Sequence, residues 1–122
     1  MSDFDQEAST GGGYERSVAL PVAASDGIAQ RIILRFRGRR LERVSVILEE
    51  VRAGQHGSLI RYDDAHGRFH RHSPGWPEPS GQIEAYFDLP VRRRATFSES
   101  QIRVRYTIWE ARIFGSEGNA IA

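Results

Sequence analysis

The sequence predicts an α+β fold, in which an antiparallel five- to six-stranded meander sheet carries one C-terminal helix packed on one face. Two observations predict this class: apolar and polar residues alternate along most of the chain, and the last segment also has four apolar residues at helical spacing. Alternation is typical of a half-buried strand, whereas apolar residues three and four positions apart indicate an amphipathic helix. A chain of 122 residues is long enough for one modest two-layer core. We therefore expect a single domain, over residues 17–115.

The first two strands form a predicted hairpin. Val18, Leu20 and Val22 alternate with small residues, and the segment 25–27, Ser-Asp-Gly, has the composition of a turn. Over 28–37, Ile, Gln, Ile, Leu and Phe alternate with a second set of residues that includes three arginines. This period of two predicts a second strand whose arginines lie on the solvent face of the sheet.

The segment RLERVSVILEEVR, residues 40–52, fits two structures. Val44, Val46 and Leu48 alternate as in a strand, but Val44, Leu48 and Val51 also fall at helical spacing. The cluster of β-branched residues and the glycine turn at Gly38 favour a strand.

Two further strands are predicted beyond a turn at 53–57. The first is SLIRYD, and the second is GQIEAYFDL, in which Ile83, Ala85 and Phe87 alternate. Between them, SPGWPEPSG has three prolines and two glycines, which indicates a loop.

The last segment is ambiguous between strand and helix. Its apolar residues alternate, but four of them also match helical spacing: Ile102, Tyr106, Trp109 and Ile113. Ser98 or Thr96, each with a glutamine or glutamate three residues later, would form a capping box. Gly115 stands where a helix commonly ends. We therefore predict a helix from about residue 98 to residue 114.

The two ends and the composition bound the class of protein. Residues 1–16 are acidic and glycine-rich, so we expect a disordered leader there and a disordered tail over 116–122. The chain contains no run of eighteen apolar residues, the length that could span a bilayer. The N-terminus also lacks the basic and apolar regions of a signal peptide. The chain has no cysteine, which excludes disulfides, thiolate ligands and cysteine nucleophiles. We expect a cytoplasmic protein without membrane contact.

The formal net charge of +1 hides an asymmetry. Residues 17–114 hold sixteen arginines and eleven acidic residues, so this segment has a charge of about +5. Every basic residue of the chain is arginine. A GC-rich genome would explain this usage, but guanidinium groups also bind phosphates and carboxylates in a bidentate manner, which suits RNA or an acidic partner. Composition does not choose between these explanations.

The stretch RYDDAHGRFHRH, residues 61–72, holds three of the four histidines of the chain. Its centre has turn chemistry, which predicts a structural role in the turn for Asp63, Asp64, His66 and Gly67. If Asp64 and Arg68 close a three-residue loop, Tyr62 lies opposite His70. Alternation then places Tyr62, His70 and His72 on one face of the hairpin.

Three interpretations of this box are open. His70 and His72, two residues apart on a strand, can share a metal ion, but no third ligand is obviously placed, so we expect neither a metal nor another cofactor. The histidines would otherwise be exposed groups on a polar hairpin. The third interpretation is RNA cleavage without metal, which requires a base near neutral pH, a proton donor and cations around the phosphate.

The ribonuclease interpretation assigns roles to individual residues. His70 or His72 would be the general acid or base, and Tyr62 a proton donor or positioning group. Arg61 and Arg71 would contact phosphate. A second predicted phosphate-binding patch is the arginine run of Arg92, Arg93 and Arg94, although such runs are commonly only solvated.

The box resembles that of an uncharacterised group of small prokaryotic proteins with the pattern Arg-Tyr-Asp-x-Ala-His-Gly-x-x-His, followed by a terminal amphipathic helix. The matching positions are Arg61, Tyr62, Asp63, His66, Gly67 and His70, and His72 extends the pattern. More distantly, the chain resembles the TumE-type toxins of toxin–antitoxin modules, in which the histidine-rich segment is spaced differently. This resemblance implies a toxin–antitoxin or defence-like module, with RNA and a cognate antitoxin or other protein as partners. The alternative is a non-enzymatic interaction module that uses the arginine-rich face of the sheet.

Overall fold

The computed structural model describes residues 13–22 and 27–115, and only the backbone of His66. Six strands are followed by one helix: β1 (Tyr14–Pro21), β2 (Ile28–Arg37), β3 (Arg40–Arg52), β4 (Gln55–Asp63), β5 (Phe69–His72), β6 (Ile83–Phe87) and α1 (Val91–Phe114). Each strand pairs antiparallel with the next, so the sheet is a meander of order β1-β2-β3-β4-β5-β6. The predicted α+β class is confirmed.

Tight turns connect the three central strands. Arg37 pairs with Arg40 across the β2–β3 hairpin, whose turn includes Gly38 at φ +60°. Between β3 and β4, Ala53 and Gly54 both have positive φ, 50° and 79°. Two central residues with positive φ are typical of a type I′ hairpin turn, whose twist matches the right-handed twist of the two strands that it joins. The segment that was ambiguous in sequence is therefore a strand, and the turn after it is shorter than the predicted 53–57.

The helix covers one face of the sheet, and the core lies between the two layers. α1 packs mainly against β3 and also touches β4. The main buried apolar residues of this interface are Ile32, Val44, Val46, Leu48, Ile60, Tyr62, Ile102 and Trp109. The opposite face, which we call the open face, includes the side chains of Arg31, Arg35 and Arg61, because alternate residues of a strand point to opposite sides. The predicted solvent-facing arginines of β2 are confirmed.

The start of the domain differs from the prediction. β1 begins at Tyr14, so the last residues of the predicted leader pair with β2. Residues 1–12, the predicted turn residues 25–26 and the predicted tail 116–122 lie outside the described residues.

The helix begins at Val91, seven residues before its predicted start. Pro90, with φ −61°, precedes the first turn, where a missing N–H costs nothing, and the arginine run then continues the helix because arginine is a good helix former. Ser98, a predicted cap, is instead buried within the helix, and its hydroxyl donates to the carbonyl of Arg94 at 2.8 Å. The predicted end is confirmed, since the N–H of Gly115 donates to the carbonyl of Ala111 at 2.7 Å.

Among the described residues, no helix combines the length and the apolar character that a membrane span requires.

Candidate functional site

The register of the β4–β5 hairpin differs from the prediction by one residue. Tyr62 pairs with Arg71 and Asp63 pairs with His70, whereas Tyr62 was expected opposite His70. A shift of one residue moves a strand's side chains to the other face. The prediction that Tyr62 shares a face with His70 and His72 is therefore wrong, and Asp63 takes its place beside the two histidines.

The turn explains this register. A short 3-10 turn over Ala65–Gly67 joins the strands, and Asp63 Oδ1 accepts a hydrogen bond from the N–H of Ala65 at 3.1 Å. Asp64 does not close the loop with Arg68. Its carboxylate instead accepts from the Val44 N–H at 2.9 Å and from Arg94 at 2.8 Å, which ties the turn to β3 and α1. Gly67 has φ +87°, a conformation that favours glycine.

These contacts agree with the predicted turn roles of Asp63, Asp64 and Gly67. The backbone of His66 lies in the 3-10 turn, as its predicted turn role requires.

Asp63, His70 and His72 converge on the open face, and we call these three residues the Asp–His–His cluster. One ligand atom of each residue lies within 4.8 Å of the others. His70 Nε2 is 3.0 Å from Asp63 Oδ1, and His72 Nε2 is 3.6 Å from Asp63 Oδ2. His70 is 3% exposed, while the side chain of His72 is 21% exposed. The cluster is therefore reached from solvent through His72.

Hydrogen bonds to the backbone define the chemistry of both imidazoles. His70 Nδ1 lies 2.8 Å from the carbonyl oxygen of Arg68, and His72 Nδ1 lies 3.0 Å from that of Ser80. A carbonyl oxygen only accepts, so each Nδ1 bears the proton, and in a neutral ring Nε2 then presents its lone pair. The close approach of His70 Nε2 to the Asp63 carboxylate consequently requires a second proton or another cation.

The loop over residues 73–82 forms one wall of the cluster. Backbone hydrogen bonds close this loop, from Ser73 N–H to the Gln82 carbonyl at 2.9 Å and from Ser80 N–H to the Ser73 carbonyl at 3.0 Å. At Gly75 a Cβ atom would lie 2.6 Å from the carbonyl oxygen of Glu78, so only glycine fits. The loop therefore sets the position of the Ser80 carbonyl that orients His72.

Two small clefts flank the cluster. One, of about 180 Å³, is lined by His72 together with Arg61, Ser58, Glu78 and Ser80. Within the described ranges, the exposed Arg61 makes neither an ion pair nor a hydrogen bond through its side chain. The second cleft, of about 220 Å³, is lined in part by Asp63, Arg35 and Arg43. Both clefts are thus bordered by a cluster residue and by arginine.

Tyr62 belongs to the core on the helix side of the sheet. It is 0% exposed, its ring stacks on those of Phe69 and Phe87, and its hydroxyl donates to Gln101 and accepts from Arg71. Burial, only partly offset by Arg71, raises the pKa of Tyr62 to about 12. These contacts contradict the prediction of a proton donor or positioning group at the site, because the register turns the ring away from the histidines.

The predicted phosphate-binding arginines divide into two groups. Arg71 is 9% exposed and bonded to Glu84 at 3.0 Å, and Arg94 is bonded to Asp64 and to the Leu89 carbonyl, so both are structural groups rather than surface phosphate contacts. Arg92 and Arg93 are exposed in the first turn of α1, and Arg61 is exposed beside His72. For these three residues, phosphate binding stays a prediction.

The sequence pattern did not indicate that Asp63 belongs to the cluster or that Ser80 orients His72. The signal for Asp63 was its place two residues before the turn, where its carboxylate can accept an N–H of that turn. No comparable signal indicated Ser80, because its contact depends on the path of the loop.

No protein-family model matches the chain, and no curated protein or solved structure is significantly similar to it. The resemblance of the box to small prokaryotic proteins and to TumE-type toxins stays a prediction.

Proposed function

We propose that this protein is an RNA-directed component of a toxin–antitoxin or defence-like module, and that it binds and cleaves RNA at the Asp–His–His cluster. One observation carries the proposal: His72, the accessible member of the cluster, lines the same cleft as the exposed Arg61. A proton acceptor and a cation in one cleft are two of the three groups that phosphodiester cleavage requires, and water can be the third, the proton donor.

His72 is suited to accept a proton. Its Nδ1–H is held by the Ser80 carbonyl, and its Nε2 is 3.6 Å from Asp63, beyond hydrogen-bonding distance. Nε2 can therefore take the proton of a ribose 2′-OH while the 2′ oxygen bonds to phosphorus and the 5′ oxygen leaves with a proton from water. Asp63, whose Oδ2 lies 3.6 Å from the same Nε2, stabilises the imidazolium that forms, and Arg61 contacts the phosphate.

The charge of the open face supports contact with a polyanion. Arg31 and Arg35 are half exposed, although each has a glutamate partner, at 3.0 Å for Arg31 and 3.2 Å for Arg35. Arg61 has no such partner in the described part of the chain. Binding through arginine releases counterions from the nucleic acid, so affinity should fall as salt rises.

The test is cleavage of a labelled single-stranded RNA by the purified chain. His72→Asn keeps a side-chain donor for the Ser80 carbonyl but removes the proton acceptor, so cleavage should be lost while the fold is retained. His56→Asn, at an exposed histidine in the first part of β4, is the matched control and should cleave as the original chain does. Equal cleavage by the two variants, or RNA left intact by the unaltered chain, would contradict the proposal.

RNA binding is measured separately from cleavage. Arg61→Ala should weaken binding and reduce the slope of log affinity against log salt by about 1, as expected for one lost phosphate contact. Arg39→Ala, which changes an exposed arginine in the β2–β3 turn, shows whether the loss is specific to the cleft. Equal losses in the two variants would indicate diffuse electrostatic attraction instead of a site at Arg61.

A second candidate function is a non-enzymatic protein-interaction module. Val104 and Ile108, one turn apart on α1, are 76% and 54% exposed. Exposed apolar side chains on one helix face favour a protein partner such as a cognate antitoxin.

Co-expression with the product of the neighbouring gene tests this second function. A complex that forms with the original chain and is lost when Val104→Ser is combined with Ile108→Ser supports the interaction module. RNA binding by the free chain argues against the interaction module.

A further inference from the structure

We propose that Asp63, His70 and His72 together bind one divalent transition-metal ion, for which Zn²⁺ is the best fit. This proposal does not depend on RNA recognition, because it rests on the three donor atoms and on the groups that hold them. A zinc ion would occupy the His72 Nε2 lone pair that the proposed ribonuclease uses as its proton acceptor, so the two proposals are alternatives for this atom.

The spacing of the donor atoms suits a single ion. With metal–ligand bonds of about 2.1 Å, two ligands lie about 3.0 Å apart at a right angle and about 3.4 Å apart at the tetrahedral angle. The two measured separations are 3.0 Å, from His70 Nε2 to Asp63 Oδ1, and 3.6 Å, from His72 Nε2 to Asp63 Oδ2. These two distances go to different oxygens of the Asp63 carboxylate. With one ligand atom taken from each residue, the three donors lie within 4.8 Å of one another, so the His72 ring has to turn toward the other two donors to complete the set.

The surrounding hydrogen bonds have the form of a metal site. A histidine ligand generally donates its second ring N–H to a carbonyl or carboxylate, which fixes the tautomer and aims the other nitrogen at the metal. His70 does this with the Arg68 carbonyl at 2.8 Å, and His72 with the Ser80 carbonyl at 3.0 Å. Asp63 is likewise oriented by the Ala65 N–H, at 3.1 Å. Each of the three ligands thus already has the hydrogen bond that a metal ligand has, and only His72 has to turn to complete the set.

The cluster also requires positive charge, which a bound cation would supply in place of a second proton on His70. Asp63 is 8% exposed, and among the described residues none of its contacts is with an arginine. The arginines of this region, Arg43 and Arg94, contact Asp64 instead, at 3.7 Å and 2.8 Å. A buried carboxylate facing two Nε2 lone pairs is unfavourable unless a positive species lies between them. A divalent ion satisfies all three atoms at once.

The donor types indicate which ion would bind. Two imidazole nitrogens and one carboxylate oxygen suit Zn²⁺, and three protein ligands leave one coordination position for water or substrate. His72 borders the cleft of about 180 Å³, so this position is reached from the side that also holds Arg61.

The experiment is calorimetric titration of the chelator-treated full chain with ZnCl₂ in the absence of RNA. We expect one ion per chain. His72→Asn keeps the donor to the Ser80 carbonyl, and Asp63→Asn keeps the acceptor for the Ala65 N–H, so both variants should fold while each loses one ligand. Their zinc affinity should fall by more than the roughly 10–100-fold that loss of an outer-shell partner costs. His56→Asn is the control and should bind as the original chain does.

Circular dichroism shows that each variant is folded, and thermal unfolding gives a second readout. Zinc should raise the melting temperature of the original chain and of His56→Asn, because an ion that binds only the folded state stabilises it. It should not raise the melting temperature of His72→Asn or Asp63→Asn. The absence of zinc binding by the original chain, unchanged affinity in both ligand variants, or a loss in His56→Asn would each overturn the proposal.

The same reagents separate this proposal from the proposed ribonuclease. If zinc binds and RNA cleavage is lost on chelation, His72 is a ligand rather than the free proton acceptor. If zinc binds and RNA is untouched under all conditions, the metal site stands and the ribonuclease fails. Cleavage that persists in the chelator-treated chain, together with no zinc binding, overturns the metal site and supports the free acceptor.

Discussion

Replacing Glu50 by glutamine tests how burial controls charge on the helix side of the sheet. Glu50 lies in β3, is 3% exposed, and contacts Arg52 at 3.2 Å, while Arg52 also contacts Glu110 of α1 at 3.2 Å. Burial, and next the neighbouring Glu110 carboxyl group, raise the pKa of Glu50 from 4.5 to about 7, although Arg52 acts in the opposite direction. Glu50 is therefore easier to protonate in the folded chain than in the unfolded chain.

The sign of the effect follows from proton linkage. Between pH 4.5 and about 7 the folded chain binds more protons at Glu50 than the unfolded chain does, so this contribution to stability is present at low pH and is lost as the pH rises. At ~1.4 kcal/mol per pKa unit, the shift corresponds to an upper limit of about 3 kcal/mol. Glutamine cannot ionise, so Glu50→Gln should be more stable than the original chain by up to about 3 kcal/mol near pH 8 and nearly equal to it near pH 4.5.

Urea unfolding followed by circular dichroism, repeated across this pH range, measures the difference. Glu49→Gln is the matched control, because Glu49 is the next residue, is half exposed and pairs with Arg31 at the surface. That variant should change stability by less than about 1 kcal/mol, the usual worth of an exposed ion pair. A free-energy difference between Glu50→Gln and the original chain that does not grow with pH would refute the assignment.

Three further results are expected. Tyr62→Phe should destabilise the chain by about 1–2 kcal/mol, measured by urea unfolding, because it leaves a buried guanidinium with one partner fewer, but it should leave RNA cleavage in place. Arg71→Ala should cost about 1–3 kcal/mol, because it takes a donor from the buried Tyr62 hydroxyl and Gln101, while Glu84 keeps Arg112 as an ion-pair partner. Arg61→Ala, at the surface, should cost less than about 0.5 kcal/mol, and equal losses in these two arginine variants would contradict the assigned burial. Gly57→Ala should cost about 1–3 kcal/mol, because its Cβ would lie 2.8 Å from the Pro77 carbonyl oxygen, whereas Gly81→Ala meets no atom within 4 Å and should melt at nearly the same temperature as the original chain.

Local patterns were sufficient to predict the fold class. Period-two alternation over 28–37 indicated a strand with arginines on its outer face, and the apolar spacing of Ile102 and Trp109 indicated a helix with one core face. These patterns are reliable because many residues of each strand or helix bury the same face, so each residue repeats the same signal. The start of the helix was predicted too late, since the serine and threonine capping patterns at Ser98 and Thr96 lie inside it and resembled a helix start.

The candidate site was predicted only in part, and the reason is its register. The sequence indicated that residues 61–72 hold the informative polar groups, and it included His70 and His72 among them. It could not show that Asp63 rather than Tyr62 stands beside the histidines. A difference of one residue in the pairing exchanges the two faces of a hairpin, while the composition of the segment is the same in either register.

The sequence by itself determined that this is a small α+β domain with a polar, histidine-rich hairpin and a surplus of arginine between residues 17 and 114. The tertiary structure decided which of those groups meet. Asp64 reaches across to β3 and α1, which fixes the turn, and the loop over 73–82 brings the Ser80 carbonyl to His72. The Asp64 contacts join segments 20 and 30 residues apart, and the Ser80 contact depends on the path of an irregular loop. No local pattern therefore encodes them, and they turn three polar side chains into a cluster with defined chemistry.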